Sequence, residues 1–234
     1  MKRTALILFV LLLSITTQAQ ELKTFFSQTD AFLKQYVKNG LVNYDAITEN
    51  PSELNAILDL AKAVKVSKSD AKNYQAFWIN AYNLSVIKGL VANMPIKSPL
   101  DKKGFFDKTT YELAGKNVTL NTIENKLLRA QFKDARFHFV LVCGALGCPP
   151  LINTAYMPST LDDQLTAQTK QAINGSFLKM KKNKVQASEI MKWYNEDFKM
   201  SGNEIDFINT YRTEKISAKA KISYFTYNWT INKQ

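Results

Sequence analysis

The chain has 234 residues, of which 46% are hydrophobic and 12% aromatic, and this composition supports a real hydrophobic core. Its two cysteines could not replace such a core, so a small fold held together by disulfides is excluded. The formal net charge of +11 favours anionic partners, but the lysines are spread along the chain and no nucleic-acid-binding motif occurs. We therefore expect no nucleic-acid partner.

Residues 1–19 have the three parts of a secretory signal peptide. Lys2 and Arg3 supply the positive start, an apolar run extends from Ala5 to Ile15, and Thr17-Gln18-Ala19 offers a small-residue cleavage site. The apolar run is too short to span a bilayer as a helix. We expect cleavage near Ala19 and an exported protein, periplasmic or secreted, whose mature chain of residues 20–234 does not span a membrane.

The next apolar pattern predicts packing helices over residues 21–37 and 53–64, followed by a longer helix from about 70 to 93 with Ser69 as its N-cap. Helical spacing places Asn80 and Asn83 on an apolar stripe of this central, buried helix. A buried amide needs hydrogen-bond partners. The two amides therefore either brace neighbouring backbone or line a polar pocket, and the second possibility makes them candidate binding residues.

A hairpin is predicted over residues 109–120, and a short helix with a polar start follows it. Asn121 with Glu124 three residues later fits a capping box. Glu124 therefore has two interpretations. It is either a helix cap or a carboxylate near His138, and in the second case it is a candidate binding residue.

The only histidine and both cysteines of the chain lie within residues 137–151. The apolar run from Phe137 to Val142 has the length of a strand, and the glycines and prolines after it predict a tight loop. In a strand, His138 and Cys143 would point to opposite faces, whereas Cys148 lies beyond the loop and could return toward either face.

Two chemistries are open for this stretch. Cys148 could be a nucleophile with His138 as its base. Alternatively, Cys143 and Cys148 form a disulfide, as expected for two cysteines in an exported chain, and Cys143 then only contributes to a binding surface. No metal site is expected, because Cys143, Cys148 and His138 would lack a fourth protein ligand, and no cofactor is indicated.

The C-terminal part is predicted to form helices over residues 159–173, 189–198 and 204–211. A half-buried strand is predicted over residues 222–231, where alternate aromatic and aliphatic side chains share one face. We find no repeat and no linker. The prediction is a single α+β domain in which several packing helices surround a small, mainly antiparallel sheet.

Several motifs together resemble the domain of unknown function 547 family. They are Ala76-Phe77-Trp78-Ile79-Asn80-Ala81-Tyr82-Asn83, Ile123-Glu124, Leu128-Arg129, Arg136-Phe137-His138-Phe139, Cys143-Gly144-Ala145, Cys148-Pro149-Pro150-Leu151, Trp193-Tyr194, Asp197-Phe198 and Tyr227-Asn228-Trp229-Thr230-Ile231-Asn232. The resemblance implies an exported bacterial member of a family without an established activity. Asn125 and Asn228 stand where the family pattern often has a histidine and an aspartate, so a histidine-rich zinc site is not expected.

Two classes of function follow. The first, which we favour, is a binding or structural module with a polar pocket formed by Asn80, Asn83, Glu124, His138 and the loop from Cys143 to Cys148. Its partner would be a small molecule, a peptide or a surface polymer. The second is a thiol-dependent hydrolase or acyltransferase with Cys148 as nucleophile and His138 as base.

Overall fold

Helices account for about half of the chain in the computed structural model, which describes residues 2–181, 184–200 and 202–234. The description of side chains begins at residue 19 and omits Lys181. The side chains of the predicted signal peptide lie almost entirely outside this description, so the signal peptide stays a prediction. Among the described residues, no helix combines the length and the apolarity that crossing a bilayer requires.

The secondary structure consists of ten α-helices, three short non-α helices and seven strands in the described part of the chain. The α-helices are α1 (Lys2–Tyr36), α2 (Tyr44–Glu49), α3 (Ser52–Ala63), α4 (Ala71–Val91), α5 (Leu120–Thr122), α6 (Ala130–Phe132), α7 (Leu161–Asn174), α8 (Glu189–Trp193), α9 (Asn195–Phe198) and α10 (Glu204–Tyr211). Two 3-10 helices cover Pro99–Asp101 and Ala135–Phe139, and a π-helix covers Ile123–Arg129. The strands are β1 (Val37–Lys38), β2 (Leu41–Val42), β3 (Thr110–Leu113), β4 (Lys116–Thr119), β5 (Leu178–Lys181), β6 (Lys184–Ser188) and β7 (Lys221–Phe225).

Helix α4 is the centre of the core, as predicted. From Ala76 to Ile87 every side chain is buried, and α1, α2, α3 and the π-helix pack around it. A helix that is apolar on all sides is stable only when other elements cover all of those sides. The N-cap is Asp70 rather than Ser69, because the Asp70 side chain accepts a hydrogen bond from the Asn73 N–H at 3.4 Å.

The strands form three small sheets rather than one. Strands β1 and β2 form one antiparallel pair, and β3 and β4 form another, which is the predicted hairpin. At its turn Ala114 and Gly115 both have positive φ, +50° and +68°, as the tight hairpin turn that matches strand twist requires. The third sheet pairs β5 with β6 antiparallel and β6 with β7 parallel. The fold is an α+β domain with small, mainly antiparallel sheets.

The predicted strand from Phe137 to Val142 is wrong. Residues Ala135–Phe139 form a 3-10 helix. Its N-cap is Asp134, whose side chain accepts a hydrogen bond from the Arg136 N–H at 2.9 Å. Phe137, His138 and Phe139 are all buried. Burial on every side removes the alternation of polar and apolar residues that distinguishes a strand from a helix, so a short apolar run is ambiguous.

The predicted C-terminal strand is also shorter than expected. Strand β7 ends at Phe225, and the following tail lies along the loop that contains the cysteines. The Leu146 N–H donates to the Thr230 carbonyl at 2.7 Å, and the Gly147 N–H donates to the Asn228 carbonyl at 2.8 Å. The tail thereby brings its aromatic side chains next to the cysteines.

Candidate functional site

A cleft of about 400 Å³ lies where five parts of the fold meet. They are α4, the π-helix, the loop from Cys143 to Cys148, α8 and the C-terminal tail. We call it the aromatic cleft, because half of its lining side chains are aromatic rings of Phe, Tyr, Trp or His. The lining residues are Tyr82, Phe106, Asn121, Glu124, Asn125, His138, Leu141, Cys143, Cys148, Ile190, Trp193, Tyr194, Tyr227 and Trp229.

His138 forms part of the wall of the aromatic cleft and is held from two directions. Its side chain is only 2% exposed, and its Nε2 atom lies 2.7 Å from Oδ2 of Asp197. The imidazole also stacks on the Tyr194 ring, with 4.0 Å between the centroids and 27° between the planes. These contacts allow the ring one orientation, which is the arrangement by which a carboxylate selects the tautomer of a histidine.

Asp197 holds Arg129 as well as His138. The Arg129 Nε atom donates to the same carboxylate oxygen at 2.6 Å, and its guanidinium lies 4.5 Å from the centroid of the Tyr194 ring. Burial alone would raise the pKa of Asp197, but the hydrogen bonds from His138 and Arg129 outweigh burial and hold that pKa well below its usual range. Asp197 is therefore a carboxylate at neutral pH. It connects the π-helix, through Arg129, to His138.

Glu124 faces the aromatic cleft and does not cap a helix with Asn121. The cap is Thr119, whose hydroxyl oxygen accepts a hydrogen bond from the Thr122 N–H at 3.1 Å. The capping-box prediction is therefore wrong, and Glu124 lies one turn further on, in the π-helix. Among the described lining residues it is the only carboxylate, and none is a lysine or an arginine.

The tyrosines beside Glu124 remain protonated. Burial raises the pKa of Tyr82 well above its ordinary value, and the charge of Glu124 raises it further. The pKa values of Tyr194 and Tyr227 are raised for the same two reasons, with burial the larger. Each of these hydroxyls can therefore donate a hydrogen bond across the physiological pH range.

The two cysteines are joined by a disulfide, and both line the wall of the aromatic cleft. The Tyr227 hydroxyl oxygen lies 2.9 Å from each sulfur, and the Cys143 N–H donates to the Cys148 sulfur at 2.9 Å. The described residues include no unpaired cysteine. In this state Cys148 has no thiol with which to act as a nucleophile.

Asn80 and Asn83 brace backbone, which confirms the first of their two interpretations. The Asn80 amide donates to the Tyr156 carbonyl at 2.8 Å and accepts from the Tyr156 N–H at 3.0 Å. Asn83 makes the same pair of bonds with the carbonyl of Val140 and the N–H of Val142, both at 2.9 Å. Neither amide lines the aromatic cleft, but Asn83 holds the segment that connects the histidine to the cysteines.

The structure thus brings four of the six candidate site residues together, namely Glu124, His138, Cys143 and Cys148. Sequence reasoning about chemistry missed Asp197 and Tyr227, which contact His138 and the sulfurs. Only their presence in the family motifs pointed to them, because no local pattern connects residues so distant in the chain. In the described part of the chain, no group of three or more His, Cys, Asp or Glu side chains converges as a metal site would require.

Residues 66–173 match the family described as Protein of unknown function, DUF547. This match confirms the resemblance inferred from the motifs. It spans Glu124, His138 and both cysteines, whereas Asp197 and Tyr227 lie beyond its end. No curated protein and no solved structure matches the chain.

Proposed function

We propose that this protein is a binding module that takes a small organic cation with an apolar face into the aromatic cleft. The observation that carries the proposal is the combination of one carboxylate, Glu124, with the rings of Phe106, Trp193, Tyr227 and Trp229 in a single cavity. We favour binding over a thiol-dependent hydrolase, because the sulfur of Cys148 is bonded to that of Cys143.

The aromatic rings provide faces suited to a cation. The rings of Trp193 and Trp229 stack with 5.9 Å between their centroids, and Trp193 is 46% exposed, which is unusual for so large an apolar side chain. The faces of such rings carry partial negative charge and attract an ammonium or guanidinium group, with about 0.5 to 2 kcal/mol gained per contact. Exposed apolar side chains next to a cavity commonly mark a ligand site.

The charge of the cleft supports the same class of ligand. The protein as a whole is strongly basic, with a formal net charge of +11, yet the described lining residues include Glu124 and neither lysine nor arginine. Arg129, which lies behind Tyr194, is paired with Asp197 at 2.6 Å. An ammonium group in the cleft would therefore meet a carboxylate and aromatic faces, with neither lysine nor arginine among the described lining residues.

A pair of small probes of opposite charge tests this proposal. Phenethylammonium and 3-phenylpropanoate are similar in size and present the same ring, and tryptophan fluorescence reports on Trp193 and Trp229 at the cleft. We expect the ammonium probe to bind at least about tenfold more tightly than the carboxylate probe, because one charge-assisted hydrogen bond contributes roughly 1.5 to 3 kcal/mol.

Two variants test whether the preference for the ammonium probe arises in the aromatic cleft. Glu124→Gln is expected to remove the preference for the cation, whereas Glu112→Gln, at an exposed position on the β3 strand, serves as the matched control and should keep it. Equal binding of the two probes, or a cation preference that survives Glu124→Gln, would show that the cleft does not select cations.

We also propose that the protein is exported and cleaved near Ala19. The positive start at Lys2 and Arg3, the apolar run after it and the small residue at Ala19 support this proposal. Mass spectrometry of the exported protein should give a mature N-terminus at Gln20 or Glu21. An intact Met1 on protein recovered from the exported fraction would contradict it.

A further inference from the structure

The disulfide between Cys143 and Cys148 lies in the wall of a cavity rather than in closed packing. Both residues line the aromatic cleft, and Cys143 is partly exposed, whereas Cys148 is only 7% exposed. A small molecule in the cleft would therefore touch the bond. The proposed binding of a cation does not involve the disulfide.

The two sulfurs also have different polar partners. The Tyr227 hydroxyl lies 2.9 Å from both, but only the Cys148 sulfur also accepts the backbone N–H of Cys143, at 2.9 Å. A neutral disulfide sulfur is a weak hydrogen-bond acceptor. A thiolate is a strong one, so these two donors stabilise the cleaved form of the bond more than the intact form.

We propose that this disulfide is a thiol–disulfide exchange site for small thiols that enter the aromatic cleft, with Cys143 as the sulfur attacked and Cys148 as the leaving group. The proposal concerns reactivity and does not depend on whether Glu124 binds a cation. A neutral thiol is expected to react as well.

The exchange balances without any further reagent. The thiolate of the small thiol attacks the Cys143 sulfur, a new sulfur–sulfur bond forms, and the bond to Cys148 breaks with its electron pair left on Cys148. The Cys148 thiolate receives hydrogen bonds from the Tyr227 hydroxyl and the Cys143 N–H, and it takes up a proton from solvent. A second thiolate then displaces Cys143, so two small thiols become one disulfide and the protein disulfide is reduced.

Access and leaving-group stability both favour this direction. Cys143 is the more exposed of the two residues, so a reagent in the cleft should meet it first, and the Cys148 sulfur has the additional N–H donor. Exchange is faster when the leaving thiolate is more stable. Burial raises the pKa of the Tyr227 hydroxyl, so it remains a donor under the conditions of the reaction.

The test measures reduction of the native protein by 2-mercaptoethanol, a neutral thiol that keeps the result separate from cation binding. Samples are quenched with N-ethylmaleimide at intervals and followed by intact mass. We expect a rate that rises linearly with thiol concentration, and we expect Tyr227→Phe to lower the second-order rate constant about tenfold, because it removes one donor to the leaving thiolate.

Tyr224→Phe is the matched control, because its hydroxyl lies 2.9 Å from the Glu204 carboxylate and not beside the sulfurs. It should leave the rate unchanged. An equal rate in Tyr227→Phe and the unmodified chain would overturn the proposal. So would a rate that does not depend on thiol concentration, since reduction would then require prior opening of the fold.

The unmodified chain also tests which sulfur is attacked, without any substitution. Fragmentation of the trapped one-thiol intermediate should place mercaptoethanol on Cys143 and N-ethylmaleimide on Cys148. The reverse placement would overturn the assigned direction of exchange.

Discussion

The Nε2 atom of His138 lies 2.7 Å from Oδ2 of Asp197, although 59 residues separate the two in the chain. The same oxygen receives the Arg129 Nε atom at 2.6 Å. One carboxylate therefore joins the 3-10 helix, the π-helix and α9 behind the aromatic cleft. Because its charge is satisfied by two donors, the contact should contribute to stability in a pH-dependent way.

We predict that Asp197→Asn lowers the free energy of unfolding at pH 7 by about 2 kcal/mol, the range of a hydrogen bond to a charged group. The pKa of Asp197 is depressed in the folded protein, so its contribution is present above the ordinary aspartate pKa of about 3.9 and is lost as the pH falls toward the folded pKa. Urea denaturation at pH 7, 5 and 3 measures the difference. It should shrink below about pH 4.

The control for this prediction is Asp107→Asn, at an exposed loop position. It should have little effect at any of the three pH values. A difference between the Asp197 variant and the unmodified chain that stays constant from pH 7 to pH 3 would show that the charge of Asp197 is not what stabilises the fold.

We predict that Asn80→Leu and Asn83→Leu each destabilise the fold by about 3 kcal/mol, even though each adds apolar surface to the core. Each substitution leaves a buried backbone N–H and a buried carbonyl without the amide that satisfies them. Asn117→Leu, at an exposed position in the hairpin, is the comparison. Chemical denaturation decides the question, and unchanged midpoints in both core variants would refute bracing.

Gly144, directly after Cys143, is predicted to tolerate no side chain. Its φ is +82°, and a Cβ atom there would come within 2.5 Å of the Leu90 Cδ1 atom and 3.1 Å of the Val86 Cγ1 atom. We expect Gly144→Ala to cost about 3 kcal/mol from strain and overpacking together.

Gly115→Ala separates strain from crowding. Its φ is +68°, but a Cβ there would meet nothing within 4 Å. Gly115→Ala should therefore lower the free energy of unfolding by only about 1 kcal/mol, which is the cost of the positive φ alone. Equal losses of stability in the two variants, measured by thermal denaturation with circular dichroism, would show that Leu90 and Val86 give way.

We predict that the purified, non-reduced protein contains no free thiol. Iodoacetamide should add no carbamidomethyl group to the native chain or to the chain unfolded without reductant, and two groups after reduction, because Cys143 and Cys148 are paired. Mass spectrometry gives the count. A single, fast-labelling Cys148 in the native protein would instead support the thiol-dependent hydrolase.

Sequence alone determined those features that depend on neighbours in the chain. The central helix, the hairpin over residues 109–120, and the need of Asn80 and Asn83 for hydrogen-bond partners follow from periodicity, turn signals and hydrogen-bond satisfaction. For the two cysteines the sequence favoured pairing but left a nucleophilic Cys148 open, and the structure has the disulfide. Each of these inferences uses residues within a few turns of one another.

The tertiary structure decided the conformation around His138 and the composition of the aromatic cleft. A short apolar run buried on all sides carries no period, so packing and not sequence pattern selected a 3-10 helix over a strand. Thr119 and not Asn121 caps the helix, and Glu124 lies in the following π-helix, where it lines the cleft. Asp197 and Tyr227 reach His138 and the sulfurs through long-range packing, and local propensity holds no information about contacts between residues 59 to 84 positions apart.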